Sequence, residues 1–157
     1  MKPTVYIETS IPSYLTARAS NDIRATANKN TTIEWWEQRK HEFDLYISEF
    51  VVVEAGRGHP DAASRRLNAI IDIPELKATE EVRILGKYLI TEGALPVLAE
   101  IDAYHIAIAA VNGINYLLTW NCTHIANAVM RPRIEGIRRT HDYEPPIICT
   151  PQELMGD

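Results

Sequence analysis

Short β-branched runs alternate with longer helical-period stretches along the whole chain. Thr4 to Ile7, directly after Pro3, is β-branched and aromatic and reads as a short buried strand, the central one of a sheet. Thr9 and Ser10 can each accept from orphan backbone N–H groups, and Pro12 stands where a first helical turn tolerates a missing donor, so this strand hands over directly to a helix. Ser20 is placed to cap a long polar-rich helix running toward His41, weakest over Asn28 to Thr32, where a break is expected. Phe43 to Ser48 then alternates as a second strand.

Glu49 to Gly56 predicts a short helix, ended by Gly58-His59-Pro60. Asp61 to Ile71 is amphipathic, with Ala62, Leu67 and Ile70 or Ile71 inward. Leu76 to Thr79 reads as a brief third strand, Glu80 to Glu92 as a helix stopped by Gly93, and Ala94-Leu95-Pro96 as a connector. From Ala99 to Asn112 a helix is predicted to bury Ile101, Tyr104, Ile108 and Val111 on one stripe, with Gly113 terminating it. Asn115 to Thr119 and Pro146 to Cys149 read as the fourth and fifth strands, separated by helical material at Cys122 to Val129 and Pro132 to Thr140. Such alternation predicts one α/β domain over 1–157, a parallel sheet with helices on both faces, right-handed crossovers and one open switch point.

Composition narrows the classes. A chain of 157 residues can bury a real core without staples. Cys122 and Cys149 have neither CxxC nor Cys/His spacing, which points to a reduced, cytoplasmic protein. No basic-then-apolar leader and no stretch of about 18 apolar residues is present in the sequence, so neither secretion nor membrane spanning is expected. A net charge of −5 gives no bulk attraction to phosphate, and any nucleic-acid contact must be local. The densest basic stretch is Arg131, Arg133, Arg138 and Arg139, which fits a solvated helix face as well as a phosphate track.

Three carboxylates bracket these elements. Glu8 follows the first strand, Glu54 lies in the helix after the second, and Asp102 opens the alanine-rich helix. Ligands of an α/β sheet gather at the carboxyl ends of its strands. Three carboxylates about 5 Å apart repel by about 3 kcal/mol per pair at an effective dielectric near 20, so a gathered trio needs a cation, and oxygen donors favour Mg²⁺ or Mn²⁺. Any one of these acids alone is better explained as a helix-start or surface residue, so the metal reading rests on the constellation.

In order along the chain, Tyr6-Ile7-Glu8-Thr9-Ser10, Ser48 with Glu54 six residues on, Asp102-Ala103-Tyr104-His105-Ile106-Ala107, and Leu118-Thr119-Trp120-Asn121 resemble the PIN-domain family over nearly the whole sequence. The resemblance implies a three-layer α/β/α sandwich with a parallel five-stranded sheet, order 3-2-1-4-5. It implies a metal-dependent ribonuclease leaving 5′-phosphate and 3′-hydroxyl ends, and the toxin half of a toxin–antitoxin module of the VapC-like group. RNA as substrate, an antitoxin protein as partner, and a homodimer with its contact in the apolar part of 20–90 follow as expectations. Glu8 takes the place of the family's first acid, usually Asp; Glu54 and Asp102 match the second and third. Asn121 falls where a fourth acid commonly follows the fourth strand, leaving one negative charge fewer.

Catalytic work is therefore expected of Glu8, Glu54, Asp102 and Asn121, with Glu54 or Asp102 as the proton acceptor. Thr9, Ser10, His105, His124 and Asn127 are the candidates for substrate contact. Three of them have a plainer reading: capping for Thr9 and Ser10, and a packed histidine bonded to backbone for His105. Glu100 reads as a first-turn dipole acid, and of the adjacent Trp35 and Trp36 one should be core. An aspartyl phosphatase needs a second Asp where Ser10 stands, and a dinucleotide site needs glycines absent from Glu8 to Tyr14. The remaining rival is a catalytically silent RNA-binding or protein-interaction module on the same fold.

Overall fold

The structure, a computed structural model, describes residues 1–93 and 95–156. Its centre is a five-stranded, all-parallel sheet in the order β3-β2-β1-β4-β5, with β1 at Thr4–Ile7, β2 at Asp44–Ser48, β3 at Glu75–Leu76, β4 at Tyr116–Leu118 and β5 at Ile147–Cys149. Helices are α1 Ser10–Thr16, α2 Ile23–Gln38, α3 Glu49–Ala55, α4 Pro60–Ile70, α5 Glu80–Thr91, α6 Glu100–Val111 and α7 Arg131–Thr140. This is the PIN-like α/β/α sandwich and strand order that the sequence led us to expect.

β1 is covered on both faces, so Val5, Tyr6 and Ile7 are all fully buried and show no alternation. The chain lays β2 and β3 on one side of β1, then crosses to place β4 and β5 on the other. That reversal opens a crevice between β1 and β4 at the carboxyl edge of the sheet, where Ile7 pairs with Leu118 and the next residues are Glu8 and Thr119.

Several local expectations are corrected. Asp22, not Ser20, caps α2 by accepting from the Ala25 N–H at 2.8 Å, while Ser20 Oγ accepts from the Asp22 N–H. α2 stops at Gln38 and runs unbroken through Thr32, which is buried and accepts from Trp120 Nε1 at 2.8 Å. Tertiary support of that hydroxyl overrides the weak local propensity. The third strand is Glu75–Leu76, and Thr79 instead caps α5. α4 begins at Pro60 under a His59 cap, and Ala63 rather than Ala62 is buried, with Ile71 turned outward. Cys122 to Val129 is a series of turns anchored by buried Ile125, not a helix. Of the expected connector, Ala94 lies outside the described residues.

α6 lies within the core. Ala103 and every residue from His105 to Ala110 are buried, whereas of the expected stripe only Ile108 is fully so. A helix enclosed on all sides carries no amphipathic period to read. Its far end turns on Gly113, at φ +64, where the left-handed backbone lets the Gly113 and Ile114 N–H groups close on Ala110 and Ala109 carbonyls. Trp35 is core and Trp36 half-buried beneath Lys40, whose Nζ lies 4.4 Å from the ring centre. Among the described residues no helix is long and apolar enough to cross a membrane.

Candidate active site

The crevice between β1 and β4 collects side chains from four distant segments. Glu8, 4% exposed, accepts from Ser10 Oγ and Thr119 Oγ1, each at 2.5 Å. Ser10 Oγ in turn accepts from the Trp120 N–H at 2.8 Å, and Thr119 Oγ1 from the Asn121 N–H at 2.9 Å. The β1 carboxylate is thus held by hydroxyls that are themselves fixed by the loop after β4.

Glu54, near the end of α3, accepts from Thr9 Oγ1 at 2.6 Å and lies 2.5 Å from His105 Nε2. His105 is fully buried, and its Nδ1 lies 2.6 Å from the Tyr6 hydroxyl, which lies 2.7 Å from Ser48 Oγ. Ser48 also caps α3, accepting from the Phe50 N–H. With the ring doubly protonated the relay is consistent: Nε2 donates to Glu54, Nδ1 donates to Tyr6, and Tyr6 donates to Ser48.

Charge follows from this wiring. Burial works against the His105 imidazolium, yet the Glu54 hydrogen bond and the charges of Glu8, Glu54 and Asp102 raise its pKa above the usual value. Burial likewise works to raise Glu54, but the His105 bond and charge, the Thr9 hydroxyl and nearby Arg57 bring its carboxyl below the ordinary range. Desolvation pushes the Tyr6 phenol well up, keeping it a neutral donor.

Ligand atoms of Glu8, Glu54 and His105 all lie within 4.8 Å of one another. This cluster therefore pairs two of the expected acids with an imidazole. Asp102 stands one helical turn before His105 on α6, outside that cluster, and is tied to the loop after β4. Asn121 Nδ2 donates to Asp102 Oδ1 at 3.1 Å, and His124 Nδ1 lies 2.9 Å from Asp102 Oδ2. Asn121 Oδ1 accepts from the His124 N–H, so the amide clamps Asp102 and the turn together.

The remaining candidates separate. Thr9 and Ser10 make no side-chain cap on α1; their hydroxyls go to the two glutamates instead. His105 binds side chains rather than backbone, and His124 sits at the mouth, partly exposed. Asn127 is not brought to the acids: its Nδ2 donates to the Cys122 and Thr123 carbonyls and its Oδ1 accepts from the Val129 and Met130 N–H groups. Glu100 accepts from the Tyr104 hydroxyl. In the expected basic track Arg138 is fully buried, which removes it from any surface contact. Sequence reasoning assigned no role to Tyr6 or Thr119. A tyrosine in a strand closed on both faces must find a partner for its hydroxyl, and that was the available signal.

No protein-family model matches the sequence, and no curated protein matches it. Solved structures do match. Mycobacterium tuberculosis VapC20, a sarcin–ricin-loop-cleaving toxin, aligns over 79% of this chain and 95% of its own at 17% identity, with a TM-score of 0.58. VapBC-1 from nontypeable Haemophilus influenzae aligns over 95% of this chain and 98% of its own at 14% identity and a TM-score of 0.58. VapBC2 from Rickettsia felis, bound to a promoter DNA fragment, covers 94% and 98% at 13% identity and 0.56. With its parallel 3-2-1-4-5 sheet and these likenesses, the chain has the PIN-like fold of VapC toxins.

Proposed function

We propose that the chain is a divalent-metal-dependent endoribonuclease, the toxin of a cytoplasmic toxin–antitoxin pair. The observation that carries this reading is the convergence of Glu8, Glu54 and His105 at the switch point of the sheet. The two carboxylates of this cluster fit a divalent ion such as Mg²⁺ or Mn²⁺, supplying oxygens and negative charge, while His105 orients Glu54 through its Nε2. Glu8 and Glu54 would hold the ion, with Asp102 completing the acidic mouth. When bound, it supplies Lewis-acid polarisation of a phosphodiester and a lowered pKa for water at the site.

The protein's own groups set the rest. Ser10 and Thr119 keep the Glu8 carboxylate aimed, and Thr9 does the same for Glu54. Glu54, held ionised by its neighbours, is an acceptor for the proton of the attacking water. His124, beside Asp102 at the rim, is placed to meet substrate. Cleavage would leave a 5′-phosphate and a 3′-hydroxyl. The occurrence of this fold in VapBC structures supports an antitoxin as partner. Exposed Ile23, Val53 and Ile71 supply apolar surface for a homodimer contact in the 20–90 region.

Asn121 favours one rival: its amide is engaged in holding Asp102 and the following turn, in place of a fourth carboxylate, as a silent RNA-binding or protein-interaction module would tolerate. Incubation with structured and single-stranded RNA, with and without Mn²⁺, separates the two. Metal-dependent cleavage lost in Asp102→Asn supports the enzyme, and tight binding without cleavage supports the module. Calorimetric titration of Mn²⁺ into wild type and Glu8→Ala tests the site itself, and equal binding in both would sink it.

A further inference from the structure

The end of α1 and the start of α4 flank an open cleft of about 480 Å³ lined by Ser13, Arg18, His59, Asp61, Arg65 and Arg66. Three arginines face one aspartate there, in a chain whose overall charge is −5. Two of the guanidinium groups are anchored by backbone carbonyls: Arg65 Nε donates to Thr16 O at 3.2 Å, and Arg66 Nε donates to Ala55 O at 2.9 Å. Arg66 Nη2 donates as well to the Arg57 carbonyl. Such anchoring removes most of the entropy that a mobile arginine loses on binding, while a planar fork still has N–H groups left for an anion. Asp61 is shared between Arg18 at 2.7 Å and Arg65 at 2.6 Å, so it neutralises only part of the charge. The α4 N-terminus adds its dipole from the same side.

The cleft is joined to the acids through α1. Ser13 bonds to the Thr9 carbonyl through both its N–H and its hydroxyl, and Thr9 Oγ1 donates to Glu54. Ser13 is one helical turn from Thr9, about 5 Å along the helix. Arg57, in the link between α3 and α4, lies near enough to Glu54 to favour its ionised form. A strand crossing the acids along α1 therefore meets positive charge at the far end of that helix, where Arg65 reaches the Thr16 carbonyl and Arg18 follows.

We propose that this cleft seats a backbone phosphate of the RNA that crosses the metal centre. It rests on the nuclease reading for the identity of the polyanion. A polyanion drawn over a carboxylate cluster needs cationic purchase near it, and the arginines at the end of α1 supply that purchase.

Arg18 is the decisive position, because its side chain is 79% exposed and Asp61 keeps Arg65 when it is removed. Binding of a fluorescein-labelled RNA hairpin is measured by anisotropy between about 50 and 200 mM salt, with EDTA present so that no cleavage runs. Arg18→Ala is expected to weaken binding about fivefold and to lower the slope of log K against log salt by about 0.7, the loss of one single-strand phosphate contact. Arg18→Glu weakens it further, and Arg139→Ala, which removes the same charge from α7, leaves both quantities unchanged. Wild-type affinity in both Arg18 variants, equal loss in Arg139→Ala, or no RNA binding by the wild type overturns the proposal. So does weakened capture of an acidic protein segment with RNA affinity intact. A separate Mn²⁺ cleavage assay tells the two readings apart. Cleavage with unchanged Arg18 affinities removes the cleft alone, and an Arg18 effect without cleavage removes the nuclease while keeping the cleft as an RNA site.

Discussion

His105 Nε2 lies 2.5 Å from Glu54 Oε1, joining the middle of α6 to the end of α3 across 51 residues of sequence. One partner is wholly buried and the other mostly so, and Tyr6 and Ser48 extend the bond into the sheet. Removing one member of a buried hydrogen-bonded pair leaves the other without compensation. His105→Ala is expected to destabilise the metal-free protein by about 3 kcal/mol, measured by urea unfolding; a loss below about 1 kcal/mol would mean the bond is idle.

The same pair gives the metal-free protein a stability window in pH. His105 is raised from 6.5, so its contribution is complete below that value and fades as pH climbs through the folded pKa above it. Glu54 is lowered from 4.5, so its contribution is complete above that value and fades as pH drops through the folded pKa beneath it. Melting temperature in EDTA should therefore fall on the alkaline side above about 6.5 and on the acid side below about 4.5. His105→Gln should flatten the alkaline limb, and an unchanged limb in that variant would assign it elsewhere.

Gly86 on α5 lets the Tyr104 ring press against the helix. A Cβ there would come within 2.5 Å of Tyr104 Cδ1, and the ring is already stacked on Phe50 with centroids 5.1 Å apart. Gly86→Ala should cost about 1–3 kcal/mol despite the better helix propensity of alanine. Thermal unfolding reads this directly, and an unshifted or raised midpoint would show that the ring can give way.

Arg138 is fully buried on α7, and among the described residues its guanidinium nitrogens meet no hydrogen-bond partner. Desolvation brings its pKa down to about 10. Replacing a buried, uncompensated charge by an apolar side chain of similar length is neutral or stabilising by about 1–4 kcal/mol. Arg138→Met should therefore unfold at equal or higher urea, and a clear loss would reveal a partner for the guanidinium.

Thiol chemistry should be one-sided. Cys122 is exposed, whereas Cys149 is 4% exposed with burial pushing its thiol up to about 12. Ellman's reagent at neutral pH is expected to titrate one equivalent in the native protein and two after denaturation.

Elements with a strong local signal were legible. The β-branched run of β1 marked a central strand, and Gly113 marked the end of α6 because only a left-handed residue closes that turn. The burial of α6 was not legible, since enclosure on every side erases the period that betrays a buried face. Nor was the exact company of the acids. The sequence pointed Glu8 and Asp102 to strand carboxyl ends and Glu54 to the helix after the second strand, but which atoms meet depends on side-chain reach across β1, α3 and α6. His105 enters the cluster because it lies one turn deeper on α6 than Asp102, a difference of depth that spacing alone does not reveal. Thr9 and Ser10 illustrate the same limit: local rules offer their hydroxyls to helix N–H groups, and two nearby carboxylates outcompete them.

The pairing of β1 with β4 has a consequence for how the molecule comes into being. Glu8 leaves the ribosome early, but the Thr119 hydroxyl that orients it is made 111 residues later. Until then the first strand lacks its neighbour on one side; His105 is absent for most of that interval and Asn121 for all of it. A polypeptide still being synthesised therefore cannot assemble the Glu8–Thr119 contact, and the crevice at the sheet edge closes only late in translation.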